Sequence, residues 1–165
     1  MNLRKRLGAT GGAIFVCLTG WVCGGAVWAD EKLPQDITVT AVCSSGYSNA
    51  FDWTTIVSSD GTVAQKFLSP DDDFQTPREK KSKLSDKDLR DLFEIIKRAN
   101  FQSIPTEIEG GGEDQPVLQL TIKYNAKERT VKIFAPAHIK ESERKDRDSF
   151  MSIWNELCKK VPPPE

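Results

Sequence analysis

The chain is poor in the residues that carry most catalytic chemistry. It has one histidine, His138, in the stretch Ala135-Pro136-Ala137-His138. No nearby Ser or Cys is placed by the sequence to make a nucleophilic triad with it. One His with two distant cysteines does not make zinc-ligand spacing. The triplet Asp71-Asp72-Asp73 lacks the acidic alternation and central glycine of a calcium loop. The run Gly110-Gly111-Gly112 lacks the lysine and serine of a phosphate loop. Glu107, Glu109, Glu113 and Asp114 flank that run and are candidate paired carboxylates for glycoside hydrolysis, which needs two carboxyls on a rigid scaffold. Here they fall in a glycine-rich loop. Neither sign of charge dominates, with 23 Lys+Arg against 24 Asp+Glu and a net charge of −1. Phosphate recognition needs clustered positive charge, so nucleic acid is excluded as a partner. The basic run Arg78, Lys80, Lys81, Lys83 has the Asp71–Asp73 triplet beside it in sequence, and reads as a solvated loop.

What is present is first of all an address. Arg4, Lys5 and Arg6 open the chain, and an apolar stretch rich in Ala, Gly and Val follows, including Ala13 to Leu18. Val27-Trp28-Ala29 suits a signal peptidase site, which places cleavage between Ala29 and Asp30. The apolar run is short and interrupted by glycine, against a membrane span of about 20 residues. Neither Cys17 nor Cys23 follows the small residues that a lipoprotein signal requires. Residues 1–29 therefore read as a signal peptide, 30–161 as a single domain and 162–165 as a disordered tail behind Pro162-Pro163-Pro164. Removing three positive charges with the signal leaves 20 Lys+Arg against 24 Asp+Glu, a net charge of −4. The expected location is secreted or periplasmic, with no stable membrane span after cleavage. Cys43 and Cys158 then remain as an even pair in an exported chain, and a disulfide between them is expected. In the chain-entropy model a loop of this length contributes on the order of 4–5 kcal/mol.

The strongest folding signal is Leu84–Phe101. Ser85 is placed to cap a helix, with Asp88 three residues on and Leu84 and Leu89 placed as a hydrophobic staple. Leu89, Leu92, Phe93, Ile96 and Ala99 form one apolar stripe. Asp86 and Asp88 in the first turn, and Lys97 and Arg98 in the last, suit the helix dipole. Asn100 is placed for a left-handed stop, with Phe101 folding back. An isolated helix of this length is marginal in water, so the stripe demands a partner surface.

Period-two alternation supplies that surface. Ile37, Val39, Ala41 and Cys43 mark a first strand, and Phe51, Trp53, Thr55 and Val57 a second. Asp60-Gly61 marks a hairpin into a third over Thr62–Leu68. Leu118 to Tyr124 and Thr130 to Phe134 are a fourth and fifth. Trp53 alternates with core-like neighbours and reads as core, whereas Tyr47 lies in a polar loop. Phe150, Ile153, Trp154, Leu157 and Val161 define a second helix. The order is βββαββα. The fold class is α+β, a largely antiparallel sheet of about five strands with two helices packed on one face.

This arrangement resembles a family of small bacterial exported domains of unknown function. The residues that carry the likeness are Ser59-Asp60-Gly61-Thr62-Val63, then Leu84-Ser85 with Leu89, Leu92 and Ala99-Asn100-Phe101, then Val117 to Ile122. The likeness covers about residues 36–135. Cys43-Ser44-Ser45-Gly46 and Asp114-Gln115-Pro116 match the family pattern only approximately. The resemblance implies no catalytic residues, and no cofactor is expected. The expectation is a non-enzymatic exported domain that binds a protein or cell-envelope component. The alternatives are a small-ligand carrier with a pocket between sheet and helices, and a hydrolase using the acidic loops.

Overall fold

The computed structural model describes residues 36–45, 52–68, 76–110 and 116–164. The central strand is β1 (Ile37–Ser44), which buries Ile37, Val39 and Ala41 on alternate positions. It pairs antiparallel with β2 (Trp53–Ser58) on one side and β6 (Val117–Tyr124) on the other. Directly paired residues point to the same face, so the parity of β1 passes outward through Val39↔Val57 and Val39↔Ile122. β3 (Thr62–Leu68) continues it through Val57↔Val63, and β7 (Lys127–Phe134) through Leu120↔Val131. The result is one buried face, covered by helices α1 (Asp86–Arg98) and α2 (Arg144–Lys160). Each large apolar side chain buried there contributes about 1.5–3 kcal/mol.

The α+β class and the helix pair stand as expected, but the sheet has seven strands in the order β4-β3-β2-β1-β6-β7-β5. Two of them replace expected loops. β4 (Pro77–Lys83) occupies the basic run and pairs antiparallel with β3 over all its length, yet all seven residues are exposed. Backbone pairing holds it, so its side chains carry no alternation. β5 (Glu107–Ile108) is only two residues long and pairs parallel with β7, making the sheet mixed. Ile108 is buried there. Gly110 follows and bridges to Ile139, where a Cβ would collide with the carbonyl oxygens of Phe134 and Ala135. The element order is therefore ββββαβββα.

The helix ends follow the sequence closely. The Asp88 N–H donates to Ser85 Oγ at 3.1 Å, and the Ser85 hydroxyl donates to the Asp88 carboxylate at 2.6 Å. A capping box would return the carboxylate to the cap's backbone N–H; here it takes the hydroxyl instead. Asn100 sits at φ 49°, ψ 51°, and Phe101 turns back into the core. α2 buries Phe150, Ile153, Trp154 and Leu157, but begins at Arg144, within a charged segment that has no apolar period.

Two polar features tie the layers. Gln65, buried between strands, donates through Nε2 to Thr55 Oγ1 at 3.3 Å and to the Pro162 carbonyl at 2.9 Å. The start of the triproline tail is thereby fixed on β3. Lys160, whose side chain is 7% exposed, reaches from the last turn of α2 to Asp88 at 2.8 Å and Asp91 at 3.2 Å on α1, and to Glu156 at 3.2 Å on its own helix. The bond to Asp88, then those to Asp91 and Glu156, hold the Lys160 pKa above its ordinary value. Lys160 and then Ser85 lower the Asp88 pKa, and Lys87 and then Lys160 lower that of Asp91.

Two predictions follow from these features. The β6–β7 hairpin turns on Asn125 and Ala126 at φ 48° and 61°, a region in which alanine is strained. Ala126→Gly is expected to raise stability by about 0.5–1 kcal/mol in urea unfolding. Lys160→Met is expected to lower the urea midpoint at neutral pH. Depressed carboxylate pKa values give stability that is lost as pH falls through the folded values, below about 4. A raised lysine pKa gives stability that is lost only as pH climbs past about 10.4. The gap between wild type and variant should therefore be widest between these limits and close below about pH 4.

Candidate interaction surface

The face of the sheet opposite the helices is built from the other half of each alternation. One row across it runs Lys81, Ala64, Ile56, Thr40, Thr121, Thr130, and the next runs Glu79, Lys66, Thr54, Val42, Gln119, Lys132. None of these residues is fully buried. Threonine dominates the centre, with the Thr121 and Thr130 hydroxyls 2.9 Å apart. β-branched hydroxyl side chains suit a strand whose face meets water. At the β4 side of this face the charge turns positive. Lys81 and Lys83 on β4 and the exposed Lys66 on β3 stand on this face beside Glu79, the one acid of those two strands, while Arg78 and Lys80, paired with Phe67 and Gln65, have the opposite parity. Lys81 Nζ lies 3.6 Å from the Glu79 carboxylate, both well exposed.

Of the acidic and histidine residues that sequence reading marked for chemistry, the structure describes His138, Glu107 and Glu109, and the Gly110–Ile139 bridge brings all three toward one edge of the sheet. His138 is exposed in the turn after β7, its backbone N–H donating to the Ala135 carbonyl at 2.9 Å. Glu107 and Glu109 are exposed on and beside β5, at the opposite edge of the sheet from β4. Ala29, Asp30, Tyr47, Asp71–Asp73, Glu113 and Asp114 lie outside the described residues. Among the described residues no group of three His, Cys, Asp or Glu side chains is placed to hold a metal ion. No helix among them is long and apolar enough to cross a membrane.

Cys43 and Cys158 are brought to one place. Cys43 pairs with Trp53 across β1 and β2, the Trp53 ring lies 5.3 Å from that of Trp154, and Cys158 follows Trp154 by one helical turn. Phe150 extends the stack at 5.9 Å. Trp53 joins the core cluster, in line with its alternation. The disulfide expected between the two cysteines is not formed in the structure; both are half-buried free thiols. Burial, and secondarily Cys43, push the Cys158 pKa up to about 11. Burial, and secondarily Asp52, raise that of Cys43. Both therefore remain protonated near neutral pH, and the thiolate needed for exchange is scarce.

An open cleft of about 760 Å³ runs between the end of α1 and the start of α2. Ile95 and Ala99 supply apolar wall, and Arg98, Arg144, Lys145, Glu141 and Asp148 supply charge of both signs. Arg144 is ion-paired with Glu141, and Arg147 with its neighbour Asp148 at 2.6 Å. No strand residue lines the cleft. It is thus a different place from a sheet–helix pocket, and its charges are largely paired at its own rim.

The feature that sequence reading missed is the β4 edge. The basic residues were visible, but only pairing with β3 turns them from a loop into an ordered row. No protein-family model matches the chain, and no curated protein matches it either.

Proposed function

We propose that this is an exported, non-enzymatic domain that binds a protein or another component of the bacterial cell envelope through its open sheet. The observation that carries the reading is the β4 edge, a strand of seven exposed residues ending a sheet whose other face is already packed. An ordered strand that contributes no side chain to the core offers backbone and charge to a partner at little cost to the fold. The likeness of the Asp60-Gly61 hairpin and Ser85-capped helix to small exported domains belongs to the same reading.

The export reading also bears on the thiols. In an oxidising compartment the Cys43–Cys158 pair, flanking the Trp53–Trp154 contact, is proposed to close as a disulfide that joins β1 to α2. Mass spectrometry of unreduced protein isolated from that compartment is expected to find no alkylatable thiol. Recovery of two alkylatable thiols would remove this part of the proposal. For the binding function, the immobilised protein is expected to retain a component of a bacterial envelope extract at several salt concentrations. Recovery of the protein alone at every salt concentration would count against the whole reading.

A further inference from the structure

We propose that β4 is a docking strand for an extended, acidic segment of a partner protein, which adds to the sheet beyond β4 through backbone hydrogen bonds. This inference rests on the binding function proposed above and names its surface and the chemistry of its partner.

The geometry begins with one bond. The Leu84 N–H donates to the Gly61 carbonyl at 2.9 Å, and Leu84 stands opposite Gly61 in the register that pairs Lys83 with Thr62. In an antiparallel pair, hydrogen-bonded and non-hydrogen-bonded positions alternate. Ser82, Lys80 and Arg78 therefore direct their backbone groups toward β3. Lys83, Lys81, Glu79 and Pro77 direct theirs away from it. The outer edge presents three N–H donors, from Glu79, Lys81 and Lys83, and four carbonyl acceptors. Pro77, which has no N–H, stands at the first position of the strand, where an edge tolerates proline. β4 is the last strand of the sheet, so no strand among the described residues takes these groups.

Charge selects the occupant. Among the described residues of β3 and β4, the lysines Lys66, Lys80, Lys81 and Lys83 stand beside one acid, Glu79, and Lys81 lies within reach of it. Asp60, in the β2–β3 turn at the Lys83 end of β4, is engaged by the Thr62 N–H and hydroxyl at 2.9 and 2.8 Å and also feels the charge of Lys83. A second copy pairing through β4 would set lysine and arginine against lysine and arginine, and like charges opposed across strands are destabilising. The same row that blocks self-association favours a strand carrying Asp or Glu at alternate positions. Phosphate or lipid headgroups would answer the charge, but they lack the alternating donors and acceptors that the edge presents in strand register.

The test uses the isotopically labelled protein and a synthetic peptide of alternating Glu and Thr. Saturating peptide is expected to slow hydrogen exchange of the Glu79, Lys81 and Lys83 amides by about tenfold or more, whereas an N-methylated peptide of equal charge should not. Glu79→Gln keeps the N–H and removes the acid, so it should bind the peptide as tightly or more tightly. Glu79→Pro removes the same acid together with one outward N–H, and should bind about tenfold more weakly, the worth of one lost hydrogen bond. Equal binding by the N-methylated peptide, equal protection by anionic vesicles or polyphosphate, or tighter binding by Glu79→Pro would overturn the proposal in favour of charge alone. Should Glu79→Pro lose its helical circular dichroism, the exchange of the three wild-type amides decides the matter. Envelope capture that succeeds while the peptide leaves those amides unprotected would sink the β4 inference and spare the binding function. Failure of capture would count against both.

Discussion

The structure depends on the parity of β1. A strand paired on both sides passes its alternation to every neighbour, and a slip of one residue would invert the whole sheet. Ile37, Val39 and Ala41 set which face is dry, and Val57, Val63, Ile122, Val131 and Ile133 follow by register. With one face fixed as apolar, the helices have one place to go. The two helix stripes, Leu89-Leu92-Phe93 and Phe150-Ile153-Trp154-Leu157, meet the sheet there rather than each other alone. The threonine face and the charged edge are what this choice leaves to water.

Once the helices share a face, their ends must be aligned, and the Lys160 cluster does this. An ammonium enclosed by three carboxylates is a directional contact, whereas apolar stripes can slide. It joins the first two turns of α1 to the last turn of α2, close in sequence to Pro162, which accepts from Gln65 on β3. Cap, inter-helix contact and strand are thus linked within a few residues. The Trp53–Trp154 contact performs the corresponding task in the apolar layer.

Much of this was legible before any coordinates, because burial writes itself into sequence as a period. The Leu84–Phe101 helix was readable to its left-handed stop at Asn100, since cap, stripe and stop each need particular residue types. Strands β1, β2, β3, β6 and β7 were readable because each must alternate. β4 was not, because a strand that buries nothing leaves no alternation, and its proline and charges imitate a loop. β5 was not, because two residues are too short for a period, although Ile108 and Gly110 are both held closely. The first turns of α2 were hidden by the charges between Arg144 and Asp148. That Cys43 and Cys158 would meet was expected because they are the even pair left after residues 1–29, but their place beside the Trp53–Trp154 contact and the protonation that burial imposes on them needed the packed environment. The proposed docking edge was the least legible part, because β4 is defined by pairing rather than by residue type.

The seven exposed positions of β4 have a consequence for how such a protein can diverge. A residue in the core answers to its neighbours, so most changes there cost stability before they can alter recognition. β4 is held by its backbone and answers to β3 in hydrogen bonds that do not depend on side-chain identity. Its lysines can be exchanged, reversed in sign or made aromatic while β1 through β3 keep their register. With the docking role proposed for β4, recognition and folding fall to different atoms of the same strand, and a lineage could change what the domain recognises without first finding a compensating change in its core.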